Sequence, residues 1–213
     1  MIYKNESSPR VQRKRLAKQE QILGVAMGLL TTDGLDAVTI TNIAEEMDLT
    51  VGALYRYFPS KTAILSAVTV RTLNAFAEEL EKAAQTPGNA LERLHHIAAA
   101  HIAFSRDQPS HAQLIGQMVT SPRVQLPPDE RREAMQPAFE LIEFLEQHLR
   151  AAQDEGLLCL DDPRAHALMF WSSIQGAMQL DKLGRLDPAQ MYRQDLPLKV
   201  AAALLKAWST PNA

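Results

Sequence analysis

The chain has one cysteine, Cys159, so no disulfide can form within it, and a reducing compartment such as the cytoplasm is the expected setting. Nowhere do about 18 consecutive apolar residues occur, which excludes a membrane-spanning helix. The polar, charged stretch through Glu20 has no apolar segment of the kind that directs secretion. Strand-like alternation is nearly absent, and no internal repeat or low-complexity segment interrupts the chain. Catalytic signatures are missing too: there is no grouped nucleophile, base and orienting residue, no paired-carboxylate motif and no phosphate-cradling glycine loop. The histidines do not supply metal spacing. His95 and His96 point in different directions on a helix, His101 and His111 lie elsewhere, His148 and His166 stand alone, and no cysteine accompanies them. The expectation is a protein with neither catalytic site nor metal nor other cofactor.

What is present is helical spacing and enough apolar side chain, 46% of 213 residues, to bury a sizeable core. The fold class is all-α. A net charge of -3 argues against a polyanion partner only on average. The first 20 residues carry six basic groups (Lys4, Arg10, Arg13, Lys14, Arg15, Lys18) against Glu6 and Glu20, whereas residues 62–213 carry 14 basic and 18 acidic groups. Positive charge is therefore concentrated in an N-terminal arm, where Arg13, Lys14 and Arg15 can neutralise phosphates or reach a minor groove.

Directly after this arm and a first helix from about Val11 to Leu30 comes the most informative stretch, Thr39 to Phe58. Ile40, Ile43, Ala44 and Met47 recur at helical spacing behind Thr39, whose hydroxyl can cap the first turn. Asp48 and Leu49 break the pattern. Thr50 is a second N-cap, and Val51, Leu54 and Phe58 are spaced to face inward from a second short helix. Thr50, Ala53, Tyr55, Arg56 and Tyr57 are left facing partly outward, and exposed aromatics call for a binding role. Two short helices joined by a tight corner form a helix-turn-helix, which makes double-stranded DNA the expected partner.

From Gln21 to Leu65 the chain resembles the DNA-binding domain of the TetR family of bacterial transcriptional regulators. The resemblance rests on the Asp33-Gly34-Leu35 turn, the Val38-Thr39-Ile40 lead into the motif, the run Gly52-Ala53-Leu54-Tyr55-Arg56-Tyr57-Phe58, and Lys61. The corner differs from the family's usual Ala-Gly-Val-Ser: Met47-Asp48-Leu49-Thr50 lacks the glycine, so Asp48 has to supply the left-handed conformation. Gly24 and Gly28 in the first helix each cost roughly 1 kcal/mol relative to Ala unless close packing demands them. Thr50, Val51, Gly52 and Ala53 sit at the end of the recognition helix nearest the base edges. Arg56 can pair bidentately with guanine or contact phosphate. The resemblance implies DNA contacts for Tyr55, Tyr57 and Lys61, while Thr39 and Thr41 can donate hydroxyls to the other groove wall.

The resemblance implies an N-terminal DNA-binding domain, residues 1–62, and a C-terminal helical effector-binding and dimerisation domain, residues 63–213. A long helix after Pro59-Ser60 links them, and prolines mark out helices at 90–105, after Pro109, from the Ser121–Pro128 loop to about Glu155, at 165–183 and at 198–208. In the last two helices, small residues run beside bulky ones. Ser173, Gly176, Ala177, Leu180, Ala201, Leu205 and Trp208 are expected at a dimer interface, and the resemblance implies a four-helix bundle shared by two subunits. It also implies an effector cavity. His101, Phe104, Gln117, Met118, Phe139, Trp171, Gln175 and Met178, polar or aromatic groups on otherwise apolar helices, are the candidate lining for an apolar or amphipathic small molecule. The expected function is a ligand-released repressor that binds a palindromic operator as a homodimer; the alternative is a DNA-binding dimer without a small-molecule effector, working through a protein partner or as an architectural factor.

Overall fold

The computed structural model describes residues 8–120, 128–181 and 196–210, with the side chains of 117–120, 128–131, 133 and 181 excepted. The loop expected at 121–128 and the stretch beyond Asp181 lie largely outside the described residues. Among those described, the regular structure is helical: α1 (Pro9–Thr32), α2 (Ile40–Glu46), α3 (Val51–Tyr55), α4 (Lys61–Ala84), α5 (Ala90–Asp107), α6 (Pro109–Thr120), α7 (Pro128–Asp154), α8 (Pro163–Asp181) and α9 (Leu196–Trp208). A short 3-10 turn, Leu35–Ala37, follows α1.

Local chemistry accounts for these boundaries. Proline opens α1, α6, α7 and α8, a position where its missing N–H costs nothing and its fixed φ suits the helix. Asn89 and Glu92 cap α5 reciprocally, each side chain accepting from the other's backbone N–H. Asp162 Oδ1 accepts from the N–H groups of Arg164 and Ala165 at the start of α8. Gly34 (φ 85°) and Gly156 (φ 75°) carry the left-handed turns after α1 and α7.

The chain packs as two compact units. The first comprises the described residues within 1–72 and 110–134, the second those within 73–109 and 135–213. In the first, Ile22, Ala26 and Leu30 of α1 meet Ile43 of α2, Leu54 of α3, Phe58, and Ile64 and Val68 of α4, with Leu114 and Ala134 completing the cluster. Each large side chain buried there contributes about 1.5–3 kcal/mol, enough to hold helices as short as α2 and α3 that would not persist alone. In the second unit α8 and α9 pack extensively on one another, and α5 packs on both. Its end is fastened where Cys159 N–H donates to Trp208 C=O at 2.8 Å and Thr210 N–H donates to Leu157 C=O at 3.2 Å. Helix α4 is continuous across Thr72–Leu73 and so contributes residues to both units. Among the described residues no helix is long and apolar enough to cross a membrane.

Candidate nucleic-acid interface

The helix-turn-helix is assembled by two threonine caps and one unusual corner. Thr39 accepts from Asn42 N–H at 3.1 Å, and Asn42 returns its side-chain amide to Ala37 C=O at 2.8 Å, closing the start of α2. Thr50 accepts from Ala53 N–H at 3.2 Å and starts α3. Between them Asp48 adopts φ 52°, and Leu49 N–H returns to Ala44 C=O at 2.9 Å. Among the described residues Asp48 is the only non-glycine with positive φ. A short polar side chain tolerates that conformation better than most, at a cost of about 1–2 kcal/mol relative to glycine.

The corner leaves α3 with a buried side and an open side. Leu54 is fully buried and Phe58 nearly so. Val51, expected to face inward, does not: it is 40% exposed. The reason is length. Helix α3 is only five residues long, so its first turn projects past the core that Leu54 and Phe58 reach, and Val51 joins Thr50, Gly52, Tyr55 and Arg56 on the open side. Tyr55 is 47% exposed, and Ala53 and Tyr57 are half-buried. Thr41 on α2 and Lys61 at the first turn of α4 are exposed, and Thr39 is half-buried. A Cβ built on Gly52 would meet nothing within 4 Å, so packing inside the protein does not demand glycine there. The same holds for Gly24 and Gly28.

Arg13, Lys14 and Arg15 lie exposed on the first turns of α1, which is already helical from Pro9. A helix with its side chains is about 10–12 Å across, whereas a B-form minor groove is about 6 Å wide. These cations are therefore suited to phosphates, and less to threading the minor groove as an extended arm would. One polar residue on the buried stripe of α1, not singled out by its sequence, also touches this region: Gln19 Nε2–H donates to Tyr57 C=O at 3.0 Å. The available signal was its spacing, three and four residues ahead of the buried Ile22 and Leu23.

In the second unit four of the expected effector-lining residues meet. His101 Nε2 lies 3.2 Å from Gln175 Oε1, and the imidazole stacks on Trp171 with ring centroids 4.6 Å apart. Phe76 of α4, not among the expected residues, touches His101, Phe104 and Trp171 at 4.8–5.5 Å. Its apolar neighbours made it look like ordinary core. His101 is 4% exposed, and burial, partly offset by the bond to Gln175, lowers its pKa from 6.5 to about 4, leaving it neutral at physiological pH. Met178 is half-buried one turn beyond Gln175. Phe139 is 50% exposed on α7, outside any interior, because the buried stripe of that helix runs through Leu141, Leu145 and Leu149. The side chains of Gln117 and Met118 lie outside the described residues.

Three residues expected at the surface between two copies are instead buried within the single chain, Ala177 on α8 and Ala201 and Leu205 on α9, two helices that pack on one another and on α5. Trp208 is half-buried against His166 (4.7 Å, edge-on) and Phe170 (6.4 Å). Small residues on paired helices signal close approach, but spacing alone does not say whether the approaching helix belongs to the same chain. Ser173 is half-buried, and Gly176 and Leu180 are exposed. Leu168, Met169 and Leu180 of α8 and Leu198 of α9 are large apolar side chains left exposed on the two helices, and Gly176 is exposed among them in sequence. Among the described residues no group of three His, Cys, Asp or Glu side chains is placed to hold a metal ion.

Residues 22–68 match the family model for bacterial regulatory proteins of the TetR family, and residues 94–204 match that for the tetracyclin repressor-like C-terminal domain. Over 102 residues the chain is 31% identical to the nucleoid occlusion factor SlmA of Actinobacillus pleuropneumoniae serotype 5b (strain L20), covering 46% of this chain and 49% of that one. Over 97 residues it is 30% identical to the HTH-type transcriptional repressor KstR of Mycolicibacterium smegmatis (strain ATCC 700084 / mc(2)155), covering 46% of each. The aligned part thus spans about half the length of these curated relatives. A protein of unknown function from Rhodococcus sp. RHA1 shares the fold, with a TM-score of 0.71 at 18% identity over 90% of this chain and 95% of that one.

Proposed function

Because the chain belongs to the TetR family of bacterial regulatory proteins, we propose that it binds operator DNA as a homodimer and represses transcription until a small molecule releases it. The observation that carries the DNA-reading part is the open side of α3. Val51, Gly52, Tyr55 and Arg56 project from a helix whose other side is locked by Leu54 and Phe58. Small groups at the N-terminal end suit thymine methyls and close backbone approach, while Tyr55, Arg56, Tyr57 and Lys61 hold phosphates or a guanine edge. Thr39 and Thr41 reach the opposite wall of the groove. One such helix reads too few base pairs for selectivity in a genome, so a near-palindromic site read by two copies is required. Exposed Met169, Gly176 and Leu180 of α8 with Leu198 of α9 supply the surface for the second copy. The proposed division of labour is residues 1–62 for DNA and 63–213 for dimerisation and effector, with 63–72 and 110–134 packed into the unit that carries the helix-turn-helix and the effector received at His101, Phe104, Trp171, Gln175 and Met178.

Titration of wild type, Tyr55→Ala and Arg56→Ala against a duplex selected from genomic DNA tests the reading. Each substitution is expected to cost about 1–3 kcal/mol of binding with the dimer intact by sedimentation. Unchanged affinity in both variants would defeat it. The similarity to nucleoid occlusion factors favours a second reading, a DNA-bound dimer that acts through a protein partner with no small-molecule effector. Selected sites scattered without adjacent regulated genes would support that reading; sites clustered at one promoter would support repression.

A further inference from the structure

We propose that Gln19 of α1 is a positioning residue for DNA recognition: its amide sets the angle at which α3 presents Tyr55, Arg56 and Tyr57. Helix α3 is too short to organise its own end. After Leu54 C=O accepts from the N–H groups of Tyr57 and Phe58, the carbonyls that follow have no helical partner, as at any helix C-terminus. Tyr57 C=O is taken by Gln19 Nε2–H at 3.0 Å, in a half-buried setting. Among the described residues this is the only side-chain hydrogen bond reaching residues 51–58 from another element.

Geometry explains why one bond matters. Leu54 of α3 and Phe58 just beyond it are buried, and Tyr57 packs partly on the same core, so α3 and its end are held along one apolar stripe; apolar contact is not directional, so a helix held this way can still tilt or roll about it. A directional bond at the end of the segment removes that freedom. The anchor is itself braced: Glu20, the next residue of α1, pairs with Arg71 of α4, and Ile22, three residues on from Gln19, is fully buried in the same unit. Helix α1 thus acts as a splint between α4 and the end of α3. Base readout needs side chains held to about 0.5 Å, a tolerance that a small tilt of α3 exceeds at the tips of Tyr55 and Arg56. Gln19 is uncharged, so phosphate neutralisation does not account for any effect it has on binding.

This inference rests on the DNA-reading role proposed above, and the test separates the two. Wild-type protein enriches a duplex from a randomised pool; that duplex and a scramble of the same composition are then titrated with wild type, Gln19→Ala and Gln19→Met, the last matching the length of Gln but lacking the donor. Active protein is counted by stoichiometric titration, so a variant that merely folds less well loses affinity for both duplexes alike and its ratio stays constant. Both variants are expected to bind the enriched duplex roughly 5- to 10-fold more weakly, the worth of about one hydrogen bond, with affinity for the scramble and the salt slope unchanged. A wild-type ratio of enriched to scrambled binding in Gln19→Met, or equal losses on both duplexes in Gln19→Ala, overturns the positioning role while leaving DNA reading intact. No enrichment by wild type overturns both.

Discussion

The buried His101 makes the stability of the second unit depend on pH in a calculable way. Burial holds its folded pKa at about 4 against 6.5 for an ordinary histidine. The folded state therefore disfavours the proton, and between those two values the unfolded chain binds it first. Stability is full above pH 6.5, falls as the pH drops through 6.5 towards 4, and levels off below. Each pH unit in the window is worth about 1.4 kcal/mol, so the loss approaches about 3 kcal/mol, a large part of what holds a domain of this size together. His95, in the same unit, is also lowered, mainly by burial, and adds in the same direction. The contribution of His101 is isolated by comparison with His101→Gln, which keeps a polar group beside Gln175 and cannot titrate. Both tryptophans, Trp171 and Trp208, lie in the second unit, and Trp171 is stacked on the imidazole itself. Urea unfolding followed by their fluorescence at a series of pH values should show wild type losing stability more steeply than His101→Gln between pH 6.5 and 4. Parallel curves for the two proteins would refute the reasoning, as would a native-state fluorescence titration of Trp171 with its midpoint near 6.5.

Other outcomes follow from the helix-turn-helix and the arm. Gly52→Ala should stabilise the protein by roughly 0.5–1 kcal/mol in thermal unfolding, since the added methyl meets open space, yet weaken DNA binding in titration if that surface approaches bases; tighter binding would remove Gly52 from the interface. Asp48→Gly should be neutral or stabilising by up to about 1–2 kcal/mol and Asp48→Val destabilising, because φ there is 52°; the reverse order of melting temperatures would contradict the corner assignment. Joint replacement of the exposed Arg13, Lys14 and Arg15 by Ala should flatten the slope of log affinity against log salt by about 2–3, near 0.9 for each phosphate no longer neutralised. An unaltered slope would place the DNA elsewhere.

Much of this arrangement was legible residue by residue. Thr39 and Thr50 announce helix starts because a hydroxyl followed by an apolar pattern has one economical use, and both accept the capping N–H. Asp48 had to take the left-handed corner because no glycine was available, and it does. The helical spacing of Ile43 with Ala44 and of Leu54 with Phe58 foretold two short helices whose apolar sides are buried. Val51 was misjudged because periodicity assumes a helix long enough for every turn to reach the core. The seam between copies was misjudged at Ala177, Ala201 and Leu205 because a small-residue stripe records that something approaches closely, without recording what.

The sequence by itself determined the all-α class, the caps, the corner and the family, since each depends on interactions within a few residues or on a pattern carried along one helix. Only the tertiary structure decided which faces are spent inside the chain. It turned Val51 outward, paired α8 with α9, joined Phe76 to His101, Trp171 and Phe104, and brought Gln19 to Tyr57 across 38 positions of sequence. The physical reason is common to all four. A cap or a turn is settled by backbone geometry close in sequence, whereas a buried contact between helices depends on how whole surfaces compete for the same core, and that competition has no local signature.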